Sequence, residues 1–449
     1  MIYYTPDGTK AAWQQQAKGL TKANLNAVSA DSDEDEDGNV RTWAWVVGDG
    51  GTILHGIVTN DGKTSAWQLL GNKKLPKANL NAVFFMDEDH GWAVGDNGTI
   101  VSYDSNSKTG WTARVAPPGT PNLYAVFFME IRGDIYGWAA GDVRTTKDKE
   151  EVTTVIMTTD GGKNWKFVAG PKADPANAKK VYAARGLAFS KDPVTGAIAG
   201  WLVGDKSLGI WVSENYGRRW TNGITDKLKL KGLNISGGLR TVKAFDPKDV
   251  WAVGGETGVV FWNGTKWGGE APNTSGPWQG GAFLRKTALS GKRTTLGWLL
   301  SPTGGISFSP NAKGGNWSVQ KRNNEDKEPL NAIEMFFRLP SPGVKLSQGT
   351  SPESGSADVN YVSVIGWGFP EGNINPANVL VELATECHGP ASASTSAVSI
   401  VSGPDDSELL SFLLPGGLAP GQYFVSISDS EEGDANFESS NCSAVNVVQ

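Results

Sequence analysis

A Trp-centred segment recurs along this chain at near-constant spacing, and no other feature restricts the fold as much. It reads WAWVVGDGGTI at Trp45, GWAVGDNGTI at Trp92, GWAAGD at Trp138, GWLVGD at Trp201, VWAVGGETGVV at Trp251 and GWLLSPTGGI at Trp298. Successive Trp residues are 47, 46, 63, 50 and 47 positions apart. Each segment follows another apolar run, at Leu25, Leu80, Leu123, Arg185, Leu239 and Gly281, and a seventh such run, LNAIEMFF, starts at Leu330. Each segment also precedes a hairpin that ends in Trp: Trp67, Trp111, Trp165, Trp220, Trp267 and Trp317, with one more hairpin ending at Trp13 ahead of the first unit. Units of this length, with three or four short strands between Gly, Asp and Asn turns, are propeller blades. The turn pairs supply positive φ, and the Trp that closes each hairpin covers one unit and packs on the next. A helical solenoid of similar period is excluded by the density of turns and the scarcity of 3.6-residue periodicity.

The two ends of the repeat complete each other. The hairpin from Ile2 to Trp13 has no first strand before it, and the strand expected at Leu330 to Arg338 has no hairpin after it. The expectation is a seven-bladed β-propeller over residues 1–340, closed by the N-terminal hairpin so that no sheet edge stays free. One middle strand of the closing blade is missing, and IGWGFPEGNI (Ile365 to Ile374) fits either that place or the next domain. Residues 341–357 lie in a Pro, Ser and Gly-rich stretch and read as a linker. Residues 358–449 alternate short apolar runs with Gly-Pro turns, the pattern of a small Ig-like β-sandwich. The whole chain is therefore expected to be all-β.

These repeats resemble the photosystem II stability/assembly factor family, whose units look like GWAVGDxGTI followed by TxDGGxxW. TTDGGKNW at Thr158 and SENYGRRW at Ser213 are also similar to the Asp box, Ser/Thr-x-Asp-x-Gly-x-x-Trp, the second with Asn215 for Asp. Sialidases, some endoglucanases and sorting receptors carry that box as a structural element, so it implies fold and not activity. The order IGWGF, then FLLPGGLAPGQYFVSI, is similar to IPT/TIG-type Ig domains of cell-surface proteins, an appendage that the photosystem factor pattern lacks.

Charge is divided unevenly. Of the 47 acidic and 41 basic residues, 13 acids and no Lys or Arg fall in residues 353–449, which leaves 34 acids against 41 bases, or +7, in the rest. A basic body joined to an acidic tail domain steers association, or is simply soluble on both counts. Basic residues gather in the middle blades, and the photosystem-factor resemblance makes a docking surface of Arg218, Arg219, Arg240 and Lys243 one reading; scattered surface charges are the other. A pI near 5.3 without a recognised reading module argues against nucleic acid. No run of 18 apolar residues is present to cross a membrane as a helix.

The two cysteines, Cys387 and Cys442, both lie in the tail domain and suit one disulfide in an oxidising compartment. In DSDEDEDGN, Asp33, Asp35 and Asp37 followed by Gly38 reproduce the start of a calcium loop, but Ala44 stands where an EF-hand places its bidentate Glu. A calcium site and a solvated acidic hairpin both remain open there. FRLP at Phe337 resembles the FRIP-like motif of sialidases but follows the last blade, and no carboxylate pair, catalytic triad or phosphate loop is recognisable. No catalytic residue and no cofactor other than calcium is expected. Sequons at Asn97, Asn234, Asn263, Asn273, Asn316 and Asn441 would carry N-glycans in a eukaryotic secretory route. The functional expectation is a non-catalytic extracytoplasmic scaffold, secreted or at the cell surface, that binds proteins and self-assembles through its basic propeller and acidic tail. The alternatives are an assembly factor of a thylakoid lumen or periplasm, and a glycan-binding or glycoside-hydrolysing propeller.

Overall fold

The structure is a computed structural model that describes residues 1–5, 13–34, 40–58, 65–70, 75–107, 110–172, 181–205, 209–224, 238–255, 258–270, 272, 276–287, 293–314, 316–320, 330–335, 345–346, 349–355, 361–367, 376, 379–386, 391–402, 408–415, 418–429 and 442–447. Strands and short 3-10 turns make up the regular structure, with no α-helix among the described residues. The chain divides into two compact units, one of Met1–Asp31, Thr42–Leu284 and Thr295–Phe337, the other of Ser32–Arg41, Arg285–Thr294 and Arg338–Gln449.

The first unit opens with a two-stranded hairpin, β1 (Ile2–Tyr4) and β2 (Gln14–Gln16). Six four-stranded antiparallel sheets follow in chain order. They are β3 to β6 (Leu25–Glu34, Val40–Gly48, Thr52–Val58, Ser65–Leu70) and β7 to β10 (Leu80–Asp87, His90–Gly95, Ile100–Asp104, Trp111–Arg114). Next come β11 to β14 (Leu123–Ile131, Asp134–Thr145, Glu151–Thr158, Lys166–Phe167) and β15 to β18 (Ala184–Lys191, Ile198–Gly204, Ile210–Ser213, Thr221–Ile224). Last are β19 to β22 (Thr241–Asp246, Asp249–Gly254, Gly258–Trp262, Trp267–Glu270) and β23 to β26 (Gly280–Thr287, Arg293–Leu300, Ile306–Ser309, Ser318–Gln320). Each sheet is one sequence repeat. The Trp-centred segments form the second strands, and Trp45, Trp92, Trp138, Trp201, Trp251 and Trp298 are all buried there.

Packing runs from each sheet to the next. First strands of neighbouring sheets touch, β7 with β11, β11 with β15 and β15 with β19, so these strands are innermost. Between sheets, the second-strand Trp stacks on a Phe of the following first strand: Trp45 on Phe85, Trp92 on Phe128, and Trp138 on Phe189 with centroids 3.8 Å apart. Each such ring pair buries a large apolar area and fixes the angle between sheets. The Asp boxes lock the same joints from below. Thr158 Oγ1 donates to Asp160 Oδ1 (2.7 Å) and accepts from Gly162 N, while Asp160 accepts from both the backbone and the side chain of Asn164. The Nε1 of Trp92 donates to Gly161 O, and that of Trp138 to Tyr216 O, in the box turn of the next sheet.

The last cluster carries the chain back toward its start. Trp13, Trp298, Leu300, Ile306 and Phe308 pack with Tyr3, Leu330, Ile333 and Met335, which ties the N-terminal hairpin to the sixth sheet and to residues 330–335. Asn331 Nδ2 donates to Leu25 O of the first sheet (2.8 Å). Sheets packed in sequence and joined end to start form a propeller-type ring. The strand expected from Leu330 differs in one respect: residues 330–335 join no sheet among the described residues, and 336–338 lie outside them.

The second unit holds β27 (Lys345–Leu346), β28 (Gly349–Gly355), β29 (Tyr361–Trp367), β30 (Val379–Ala384), β31 (Ala393–Ser402), β32 (Glu408–Leu413), β33 (Gly421–Asp429) and β34 (Ser443–Val447). The eight strands pair in the order β27-β29-β28-β34-β33-β30-β31-β32, with a further pairing between β29 and β32 and with β28 and β34 parallel. Alternate residues such as Val362, Val364, Val381, Leu383, Leu410, Phe412, Val425 and Ile427 face one shared core. Two sequence expectations change here. The stretch 341–357 is not simply a linker, because β27 and β28 lie within it and pair into this unit. Extended Ser, Thr and Gly backbone pairs regardless of composition, and a register irregularity between Gly349 and Ser354 spans Pro352, which has no N–H to give. Ile365–Trp367 belongs to β29, paired with β32, so this part of IGWGF is not the missing strand of the ring.

Candidate functional site

Antiparallel order puts the starts of the first strands and the turns between second and third strands at the same end of the ring. There the repeat builds a polar rim. In the first sheet Asn24 and Asn26 donate to the two carboxylate oxygens of Asp49 (2.8 and 2.9 Å), and Asn26 also donates to Leu80 O of the second sheet. In the second sheet Asn79 and Asn81 hold Asp96 in the same way, and Asn81 reaches Leu123 O of the third. Asn331 to Leu25 O repeats that link, and Gln279 Nε2 donates to Asn331 Oδ1 (3.0 Å). The residue after the first apolar position thus bridges to the next sheet, and a side-chain amide, being both donor and acceptor, suits that task.

The third to fifth sheets depart from this pattern. Tyr124 takes the Asn place in the third and donates to Asp142 Oδ2 (3.1 Å). Arg185 takes it in the fourth, donating from Nε and Nη2 to Asp205 Oδ2 (3.0 and 2.6 Å), with its guanidinium 3.9 Å from the centre of the Tyr124 ring. Arg240 takes it at the head of the fifth and donates from Nη1 to Asp205 Oδ1 (2.5 Å). Two guanidinium groups share the Asp205 carboxylate beside the Tyr124 ring, which itself holds a second carboxylate, Asp142. Burial alone would lower the pKa of Arg185, but the bond and charge of Asp205 outweigh it and raise the value. Arg240 has 40% of its side chain exposed and Arg185 26%, which leaves Arg240 the more accessible cation.

Deeper along the inner strands, Glu334 follows Asn331 by three residues and Lys243 follows Arg240 by three, so the two share a tier. The Glu334 carboxyl is desolvated there. Burial pushes its pKa up to about 7, with Lys243 pulling down and Asp31 pushing up. The carboxyl of Asp160 in the Asp box goes the other way. Burial would raise it, but hydrogen bonds from Asn164, Thr158 and the Lys163 amide hold it at about 2.

No family model matches the chain. Over 102 residues it is 28% identical to the photosystem II assembly protein Ycf48 of Synechococcus sp. (strain JA-3-3Ab), a stretch that covers 23% of this chain and 28% of that protein. The chain therefore spans little more than a quarter of the length of the curated relative it matches. Among solved structures it is similar to YCF48 bound to D1 peptide, with a TM-score of 0.42 and 18% identity over 67% of this chain and 81% of that one. It is also similar to the WD40 β-propeller domain of Doa1, at 0.41 and 12% over 67% and 82%. A third is the extracellular domain of a putative hybrid two-component system from B. thetaiotaomicron, at 0.39 and 12% over 95% and 56%. Likeness at these scores assigns nothing by itself, and the ring rests on its sheet order and packing.

The four cations singled out in the sequence do not converge. Arg240 joins the rim, and Lys243 lies further down the same strand. Arg218 and Arg219 are exposed on the Asp-box turn between β17 and β18, at the opposite end of the sheet. Tyr124 and Asp205 were not legible as partners, although the Asn-to-Tyr-to-Arg drift at one repeat position was a signal available in the sequence. The Asp33 backbone lies in β3, while Asp35 and Asp37 fall outside the described residues, and no metal-holding group of acids, His or Cys occurs among the described ones. Cys387 is also outside them, and no free thiol occurs among the described residues. Asn97, Asn263 and Asn316 are exposed, whereas Asn234, Asn273 and Asn441 are not described. Phe337 to Pro340 of the FRLP stretch are not described either. No helix of the described residues is long and apolar enough to cross a membrane.

Proposed function

We propose that this chain is a non-catalytic, extracytoplasmic protein-binding scaffold whose ring docks acidic surfaces through the Tyr124, Arg185 and Arg240 sector of its rim. The carrying observation is the pair of arginines on the single carboxylate of Asp205, where the equivalent places of the first two sheets hold neutral Asn. Guanidinium forks beside an aromatic face recognise carboxylates on a partner. The rim acids Asp49, Asp96 and Asp205 have both oxygens engaged in holding the ring, which argues against their use as acid, base or nucleophile.

The ring is read as seven-bladed, with residues 330–335 as the inner strand and β1–β2 as the outer hairpin of the last blade. Asn331 supports this by repeating the inter-sheet bond of Asn26 and Asn81. The second unit is read as an Ig-like sandwich, for which the Tyr423 hydroxyl bond to Ala419 O, four residues upstream, and the parallel β28–β34 pair speak. Its two cysteines, Cys387 and Cys442, are proposed to pair, which suits an oxidising compartment. The acidic second unit of another copy is the first partner to test. Sedimentation velocity at roughly 50 and 500 mM NaCl should show self-association that salt dissolves and that Arg185→Ala with Arg240→Ala abolishes. A wild-type chain that is monomeric at both salts ends the self-assembly version.

An assembly-factor role in a thylakoid lumen or periplasm is the second reading, favoured by the 102-residue similarity to a photosystem II assembly protein. Under it, the Arg variants would lose a membrane-protein client from native extracts and leave self-association unchanged.

A further inference from the structure

Single exposed apolar side chains are ordinary on a protein surface, but in the second unit they gather on one face. Five of the eleven large apolar residues exposed among the described ones, Tyr361, Ile365, Val398, Val401 and Leu413 at 37–58%, lie in three neighbouring strands, β29, β32 and β31. Register sets them side by side. Ile365 pairs with Leu409 and Leu409 with Val401, which makes an apolar row across the three strands. Two residues along, Ser363, Ser411 and Ser399 make a row of hydroxyls, with Ser363 Oγ and Ser411 Oγ 2.8 Å apart. Two further along, Tyr361 pairs with Leu413, and Val398 stands exposed in the irregularity between Ala397 and Ser399.

The alternate residues Val362, Val364, Leu410, Phe412 and Ile400 fill the core, so the three rows face outward. No charged residue occupies any place in them. The outer positions of β30 and β33 differ: Glu382, Gln422, Ser426 and Ser428 stand there, with none of the exposed large apolar residues.

We infer that this face of the second unit is a contact between two copies of the chain, packed sheet on sheet about a two-fold axis. Three observations select a second copy. Both flanks of the face are already paired, β29 with β27 and β28 and β31 with β30, so a partner meets it face on and not by adding a strand. A two-fold axis along the serine row lays each apolar row of one copy on the other apolar row of its partner, and sets serine against serine, where a hydroxyl both donates and accepts. Finally, a face without charge gives a charged partner no counter-charge, whereas an identical face leaves no charge buried.

The contact is small. Three positions on each of three strands span about 10 by 14 Å of backbone, which with side chains stays well below the roughly 800 Å² per partner of a standard stable interface. Residues 353–449 carry 13 acids and no Lys or Arg in each copy, so two such units repel at low salt and screening favours their contact. That sign is opposite to the one the arginine rim gives, and the contact does not depend on the rim.

The test is sedimentation equilibrium of the full chain carrying Arg185→Ala and Arg240→Ala, which removes the rim contact, at roughly 0.3 mM protein. The dimer fraction should rise about threefold between roughly 50 and 500 mM NaCl. Adding Leu413→Asp with Ile365→Ser should return the chain to monomer at both salts, while Gln422→Asp on the outer side of β33 should change nothing. Tyr361→Ser guards against a variant that fails to fold: at so exposed a position it should lower the dimer fraction about twofold with an unaltered unfolding midpoint. A monomer at both salts overturns the inference and gives the face to an apolar partner other than this chain. A dimer that survives Leu413→Asp with Ile365→Ser, or one that dissolves as salt rises, overturns it too. If the arginine substitutions leave the salt response of the wild type unchanged, the rim reading fails and this one stands.

Discussion

Two carboxyl groups show how position, not residue type, sets chemistry in this ring. Asp160 is held at about 2 by amide and hydroxyl donors after burial has been overcome, while its unfolded value is near 3.8. Its contribution to stability is therefore complete above pH 4 and is lost as pH falls from there through 2. Asp160→Ala should cost about 1–2 kcal/mol at pH 7, with the gap to wild type closing below pH 3, as read from urea midpoints. Glu334 has the opposite sign. Its folded value of about 7 exceeds 4.5, so the folded state holds the proton more tightly and stability falls as pH rises between those values. Glu334→Gln should match the wild type below pH 4.5 and exceed it above pH 7. A wild-type stability that is flat over that range would show that the carboxyl is solvated. Neither shift could be read from the sequence, where Asp160 sits in a polar turn and Glu334 in an apolar run without its tertiary neighbours.

At the scale of the element, the second strand and the Asp box act as one joint. Trp138 is fully buried, stacks on Phe189 and donates to Tyr216 O, whose neighbour Gly217 has φ of 71°. A Cβ on Gly217 would come within 2.5 Å of Trp138 Nε1. Trp138→Ala should destabilise by about 3–5 kcal/mol, and Gly217→Ala by more than about 1 kcal/mol despite adding a single methyl. Equal unfolding midpoints for Gly217→Ala and wild type would show that the turn relaxes freely. The existence of these strands and turns was legible because Trp-Ala-Val-Gly-Asp repeats are short continuous apolar runs bounded by turn residues at fixed offsets. The pairing of 345–355 was not legible, because backbone hydrogen bonds do not depend on whether Ser, Gly or Pro supplies the side chain.

For the whole molecule, charge is the property with the longest reach. The +7 body and the acidic tail predict association that weakens with salt, and the shared Asp205 predicts which cations matter. Removing Arg240 alone leaves Asp205 paired with Arg185, so Arg240→Ala should weaken binding at low salt while leaving the unfolding midpoint within about 0.5 kcal/mol of wild type. Asp205→Ala should destabilise the ring, because two guanidinium groups would then face each other unpaired. Comparable midpoints for Asp205→Ala and wild type would show that the two cations separate into water.

The sequence by itself determined the repeat, the all-β class and the uneven charge of the two parts of the chain. These are local or additive properties, carried by spacing, turn chemistry and counted charge. Only the tertiary structure decided that Arg185 and Arg240 meet on Asp205 over Tyr124 while Arg218 and Arg219 lie at the other end. The same holds for Asn331 bonding the first sheet. Contacts between residues 35 or 306 positions apart depend on how sheets pack into a ring, and that geometry is set by the joint burial of many side chains, which no single segment encodes.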